Sequence, residues 1–208
     1  MSLLTNWGYT ITDADTLADM LTVAEFNTMT ANKYAGDVRI PDNIKAASMA
    51  IRNYCGWHVA PSQACSFSEL LLSGDGRVKR VGSDYIVQLP AAYVSGITSV
   101  KVDDTNWTDY TVGINGLLRI FDVHCVTRKT EITVTYTAGL PDALMGSIKE
   151  LIAHRVTHAL ASSAGVQSET AGGVSITYSS NWINSSRSTA LADDNKEVLA
   201  PFKLREVF

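Results

Sequence analysis

The chain has 208 residues, 46% hydrophobic and 18% charged, which gives enough apolar material for a buried core and excludes a disordered tail. Its net charge is −4, with 17 Lys and Arg scattered among 21 Asp and Glu, so a tight grip on nucleic-acid phosphates, which needs clustered basic residues, is not expected. Three cysteines, Cys55, Cys65 and Cys125, none at C-x-x-C spacing, support neither a disulfide framework nor a zinc ribbon. Residues 1–20 lack the basic start and continuous apolar stretch of a signal peptide, and no apolar run nears the roughly 20 residues of a membrane span. A soluble chain that folds in a reducing cytoplasm is expected.

Thr22-Val23-Ala24-Glu25 reads as a capping box that opens a helix over 22–33, with Leu21 and Phe26 at the two positions of a hydrophobic staple. After Ile40-Pro41-Asp42-Asn43 a second helix over 42–56 is predicted, because Pro suits the first turn and Asp or Asn can cap. Ile44, Ala47, Ile51, Tyr54 and Cys55 form its apolar stripe, and Gly56 is its stop.

The middle of the chain changes character. Short runs at 66–72, 77–81, 85–89, 97–102, 110–112, 117–121 and 131–137 are rich in β-branched and aromatic residues and are punctuated by Gly, Asp, Asn and Pro. That pattern predicts an antiparallel module of hairpins. Residues Glu131 to Tyr136 alternate strictly, so one face should be buried and the other solvated.

A third helix over 142–162 carries the strongest pattern. Ile148, Leu151, Ile152, Val156, Ala159 and Leu160 fall on one face, which should pack on helix two, since an isolated helix of that length is marginal. Beyond it lies a Ser, Thr and Gly-rich stretch with a short strand at 174–178, then a helix near 189–200 that Pro201 breaks. The fold class expected is α+β: a small helical bundle with an inserted antiparallel β module and a C-terminal arm. A single domain over 1–208 is expected, with 21–60 and 141–162 as helical core, 61–140 as β module and 163–208 as hairpin and arm.

No catalytic constellation survives inspection, and no enzyme activity, cofactor or metal is expected. Glu150, His154 and His158 share a helical face, and two imidazoles four residues apart can chelate zinc. The residue after His154 is Arg155 rather than the Glu of a metalloprotease motif, so a solvated or subunit-contacting face is the favoured reading. Gly74-Asp75-Gly76-Arg77 lacks the Walker pattern and precedes a strand, which makes it a hairpin turn. His124 and Cys125 are adjacent in an extended segment and so point to opposite faces.

The residues singled out instead suit assembly. Arg155 falls near the middle of the apolar stripe, where a buried guanidinium needs a carboxylate; Asp142 and Glu25 are the internal candidates, and a neighbouring subunit is the alternative. Trp182 sits in the polar tail, a placement typical of aromatics that meet a partner. Phe202, Leu204 and Phe208 belong to an aromatic-ended C-terminal segment, a kind of tail that can order on binding.

Several phrases, in order, resemble the head–tail connector (adaptor) family of tailed bacteriophages. They are Leu21-Thr22-Val23-Ala24-Glu25-Phe26, then Ala50-Ile51-Arg52-Asn53-Tyr54-Cys55-Gly56-Trp57, and Val87-Gln88-Leu89-Pro90 followed by Val94-Ser95-Gly96-Ile97-Thr98-Ser99-Val100. Residues 132–139 leading to Pro141-Asp142, and Gln167-Ser168-Glu169-Thr170 with the strand at Gly173 to Ser179, complete the series, which covers about residues 21–180. The resemblance implies a homo-oligomeric ring, dodecameric in the virion, beneath the portal protein at the neck. That ring would extend the DNA channel without gripping DNA and dock the tail terminator or other tail proteins. The subunit would be made in the host cytoplasm. Two other readings are a tail-completion or minor capsid component and, less favoured, a metal-dependent hydrolase built on the Glu150 face.

Overall fold

Glu131–Ala138, where alternation is strictest, is the middle of a sheet: Ile132, Val134, Tyr136 and Ala138 are all buried, and the residues between them face outward. In the computed structural model, residues 2–12, 14–72, 76–124, 126–127, 129–161, 168–171, 174–177 and 193–204 are described. They divide into two compact units, Met1–Ala18 with Cys55–Asp142 and Phe202–Phe208, and Asp19–Tyr54 with Ala143–Pro201.

The first unit is the β module. Its strands in chain order are β1 (Leu3–Leu4), β2 (Thr10–Ile11), β3 (Gln63–Leu70), β4 (Val78–Val81), β5 (Asp84–Gln88), β6 (Val94–Val102), β7 (Thr105–Asn106), β8 (Tyr110–Val112), β9 (Leu117–Ile120) and β10 (Glu131–Ala138). They form a six-stranded sheet, ordered β1-β2-β3-β10-β6-β7, and a four-stranded sheet, ordered β4-β5-β9-β8. Every strand pair is antiparallel, as the short punctuated runs require. Strand β10 pairs along its whole length with β3, Tyr136 opposite Cys65. On its other side it meets β6, with irregularities after Thr135 and Thr137. Residues 1–20, unplaced from the sequence, supply β1 and β2 to one edge.

The second unit holds the helices: α1 (Val23–Met29), α2 (Ile40–Cys55, whose last residue belongs to the first unit), α3 (Gly146–Ala161) and α4 (Asp193–Leu199). It also holds the hairpin β11 (Ser168–Ala171) and β12 (Val174–Thr177). The capping box is present in full, since the Thr22 side chain accepts from the Glu25 amide and the Glu25 carboxylate accepts from the Thr22 amide. The staple residues Leu21 and Phe26 are both buried. Helix α1 is shorter than the 22–33 expected, because Ala31 and Asn32 take positive φ angles of 51° and 60° and the Asn32 N–H returns to the Asn27 carbonyl.

Helix α2 begins two residues earlier than expected. The Asp37 carboxylate accepts the Arg39 N–H and its carbonyl accepts the Ile40 N–H, which leaves Pro41 in the first turn, where a missing N–H costs nothing. Residues Asp142–Leu144 form a separate 3₁₀ turn, so α3 starts at Gly146 rather than 142. The architecture is mixed α and β, with a six-stranded and a four-stranded antiparallel sheet, a separate two-stranded hairpin and four α-helices among the described residues. Polar ties link α1 to α3 through Glu25 and Lys149, and α2 to α4 through Tyr54 and Lys196. A regular helical bundle, as expected from the sequence, goes beyond what these ties define.

Candidate functional site: the α2 terminus and the face of α3

Gly56, at φ +77°, ends α2 in the left-handed conformation that suits glycine. The next four residues, Trp57 to Ala60, are all sealed from solvent. The Leu204 N–H donates to the Cys55 carbonyl at 2.8 Å, satisfying one of the acceptors a helix end leaves open. The Trp57 indole N–H donates to the Phe202 carbonyl at 2.7 Å. Phe202 and Leu204 are therefore held against the chain's own α2 terminus, both half-buried.

His58 is bound from both sides. Its Nε2 lies 2.9 Å from the Ala138 carbonyl and its Nδ1 2.7 Å from the Tyr9 hydroxyl. Val59 carries φ +64°, rare for a β-branched residue, and spans a tight turn in which the Ala60 N–H donates to the His58 carbonyl at 2.8 Å. The Val59 carbonyl then accepts the Leu140 N–H at 2.8 Å. One short segment thus fastens the N-terminal strands, the end of β10 and the C-terminal residues.

On α3 five of the six stripe residues, Ile148, Leu151, Ile152, Val156 and Leu160, are buried, together with Ala153, while Ala159 is half-buried. Arg155 is half-buried, and burial holds its guanidinium below the usual arginine value. Among the described residues it makes no ion pair. Glu25, one of its expected partners, is taken by Lys149 at 2.6 Å. That hydrogen bond from Lys149, with those from Thr22, holds the Glu25 carboxyl down to about 2. His154 is exposed and His158 half-buried, with ring centroids 4.7 Å apart. Burial, then the neighbouring His154, holds His158 below its ordinary value. Glu150 is exposed on the same helix, yet no group of three or more metal-ligating side chains gathers among the described residues.

Cys55 and Cys65 are buried free thiols, pushed up to about 12 by burial, where the nucleophilic thiolate does not form at neutral pH. Trp182, Phe208, Cys125 and the turn at Gly74-Asp75 lie outside the described residues. Sequence reasoning missed Arg52, which is 1% exposed inside α2. Its spacing held the signal, since Arg52 stands eight residues after Ile44 and four after Ser48, both buried on the same face. It also missed Tyr9 and His58, which carry no local pattern.

The chain belongs to the head completion protein family, whose model matches residues 19–185. It is accordingly a phage structural protein of head completion, associated with the virion. No curated protein matches the chain. Among the described residues no helix is long and apolar enough to cross a membrane. Tyr9, Phe202 and Leu204, which bond to His58, Trp57 and Cys55 respectively, lie outside the matched range.

Proposed function

We propose that the protein is a ring subunit that closes the filled head beneath the portal protein, prolongs the DNA channel at the neck and presents a surface to the tail terminator or another tail protein. The observation that carries this reading is the head completion family match over residues 19–185. A head is completed where it was filled, so a completion protein must close around the DNA exit. Identical subunits do so by repeated head-to-tail contacts whose rotation closes, and a dodecamer is the number favoured. The net charge of −4 suits a conduit that lets DNA pass, because a strongly basic lining would hold the phosphates. Arg155, the His154–His158 pair, Trp182 and the end segment to Phe208 are the proposed assembly contacts. No catalytic step is part of the role.

The test is to mix the protein with cognate portal or with DNA-filled heads lacking it, and to follow the products by sedimentation and cryo-electron microscopy. Cosedimentation with ring density at the vertex is the expected result. Absence of any complex, or density elsewhere on the particle, overturns the proposal and favours another virion role.

A further inference from the structure

Among the described residues the four-stranded sheet has two open edges, and they match each other. Registers and turn bonds fix which backbone groups point outward. In the β4–β5 hairpin, Val78 faces Val87 and Arg80 faces Tyr85, and the Gln88 N–H donates to the Arg77 carbonyl. Hydrogen-bonded positions alternate along an antiparallel pair, so Arg77, Lys79 and Val81 bond to β5 while Val78 and Arg80 turn their N–H and C=O groups away from it. On the opposite edge, the Phe121 N–H donates to the Asp109 carbonyl and the Gly113 N–H to the Leu117 carbonyl. Asp109, Thr111 and Gly113 therefore bond to β9, while Tyr110 and Val112 turn outward. Among the described residues no strand pairs with the outer side of β4 or β8. Lys79, Arg80, Thr111 and Val112 are exposed. An uncovered edge of this kind is a template for another strand.

We infer that the β4 edge of one copy pairs with the β8 edge of the next, so that the four-stranded sheets run on from subunit to subunit. The inference rests on the ring reading above and names the contact that makes the ring. Three features carry it. Strand order β4-β5-β9-β8 is antiparallel throughout, so four strands alternate in direction and β8 runs opposite to β4. Repetition about an axis along the strands sets β8 beside the next β4 in the antiparallel sense the sheet already uses. The contact is head-to-tail, as a closing ring requires.

Secondly, one antiparallel register, Val78 with Val112 and Arg80 with Tyr110, pairs all four outward residues at once. In that register the side-chain rows continue. Val87 and Leu118, fully buried, lie between Val78 and Val112 on one face of each sheet, and the junction sets valine against valine. Arg80, whose guanidinium already lies 5.9 Å from the Tyr85 ring centre, meets a second aromatic in Tyr110, a favourable cation–π arrangement. Thirdly, charges match. Lys79 on the β4 edge falls diagonal to Asp109 across the junction on the other face, within reach of a long side chain.

Lys79 and Thr111 would face each other at the non-hydrogen-bonded position, with Cα atoms about 4.5 Å apart, within the range a disulfide spans. The experiment uses the full chain assembled on heads, with Lys79→Cys, Thr111→Cys and the double variant, oxidised and run without reductant. The expected result is a reducible ladder of oligomers from the double variant and no ladder from either single one. A mixture of the two single variants should give one dimer and nothing larger. A double variant that assembles as wild type does, by sedimentation, yet gives no ladder overturns the edge pairing and leaves the ring reading standing. A wild-type chain that never assembles overturns both. Dimers from Lys79→Cys alone, or cross-links to the portal chain, also overturn the pairing, since they place a different partner on the edge.

Discussion

The Tyr9 hydroxyl and the His58 imidazole stand 2.7 Å apart, both sealed from solvent, and the same phenol oxygen accepts the His58 backbone N–H at 2.9 Å. Because the Ala138 carbonyl beside Nε2 can only accept, Nε2 carries the hydrogen and Nδ1 accepts from the phenol. Tyr9→Phe removes one group that serves two buried partners. Unfolding in urea should show a loss of about 2 kcal/mol, the cost of leaving buried polar groups unsatisfied.

The Glu25–Lys149 pair gives a pH dependence of known sign. The Glu25 carboxyl falls from its ordinary 4.5 to about 2 in the folded chain, first through the Lys149 hydrogen bond. A lowered folded value means stability that is complete above 4.5 and drains away as pH falls toward 2. The side chains are 40% and 22% exposed for Glu25 and Lys149, so solvent screening limits the effect to about 1 kcal/mol. Glu25→Gln, which can still close the capping box, should flatten that part of the stability curve measured by denaturant titration from pH 6 to pH 2.

The end segment is tied to the α2 terminus by the Trp57–Phe202 and Leu204–Cys55 bonds. Removing residues 202–208 should therefore cost about 2–3 kcal/mol, from two hydrogen bonds and the uncovering of Trp57, and should redden the tryptophan emission. A chain cut after Leu204 keeps both bonds and should melt above one cut after Pro201, as calorimetry would show.

Arg155→Met separates folding from assembly. A half-buried guanidinium with no ion pair among the described residues loses hydration without recompense, and an apolar side chain of similar length is neutral or stabilising there. The isolated variant should melt at or above the wild-type temperature. If Arg155 finds a carboxylate on a neighbour, the same variant should sediment with heads at least tenfold less. Unchanged assembly would remove Arg155 from the contact.

Thr22-Val23-Ala24-Glu25 and the strand at Glu131–Ala138 were legible in the sequence because their signals are local: a cap spans four residues, and alternation reports which face is wet. Arg52 was half legible, since helical spacing placed it among buried neighbours while its charge argued for the surface. The tertiary structure alone paired β1 and β2 with the main sheet, gave Glu25 to Lys149 instead of Arg155, bound Tyr9 to His58 across 49 positions, and returned Phe202 to Trp57. These are contacts between residues far apart in the chain. Many other donors and acceptors in the sequence could make them equally well, so composition carries no trace of the partner until the packed core fixes which groups meet.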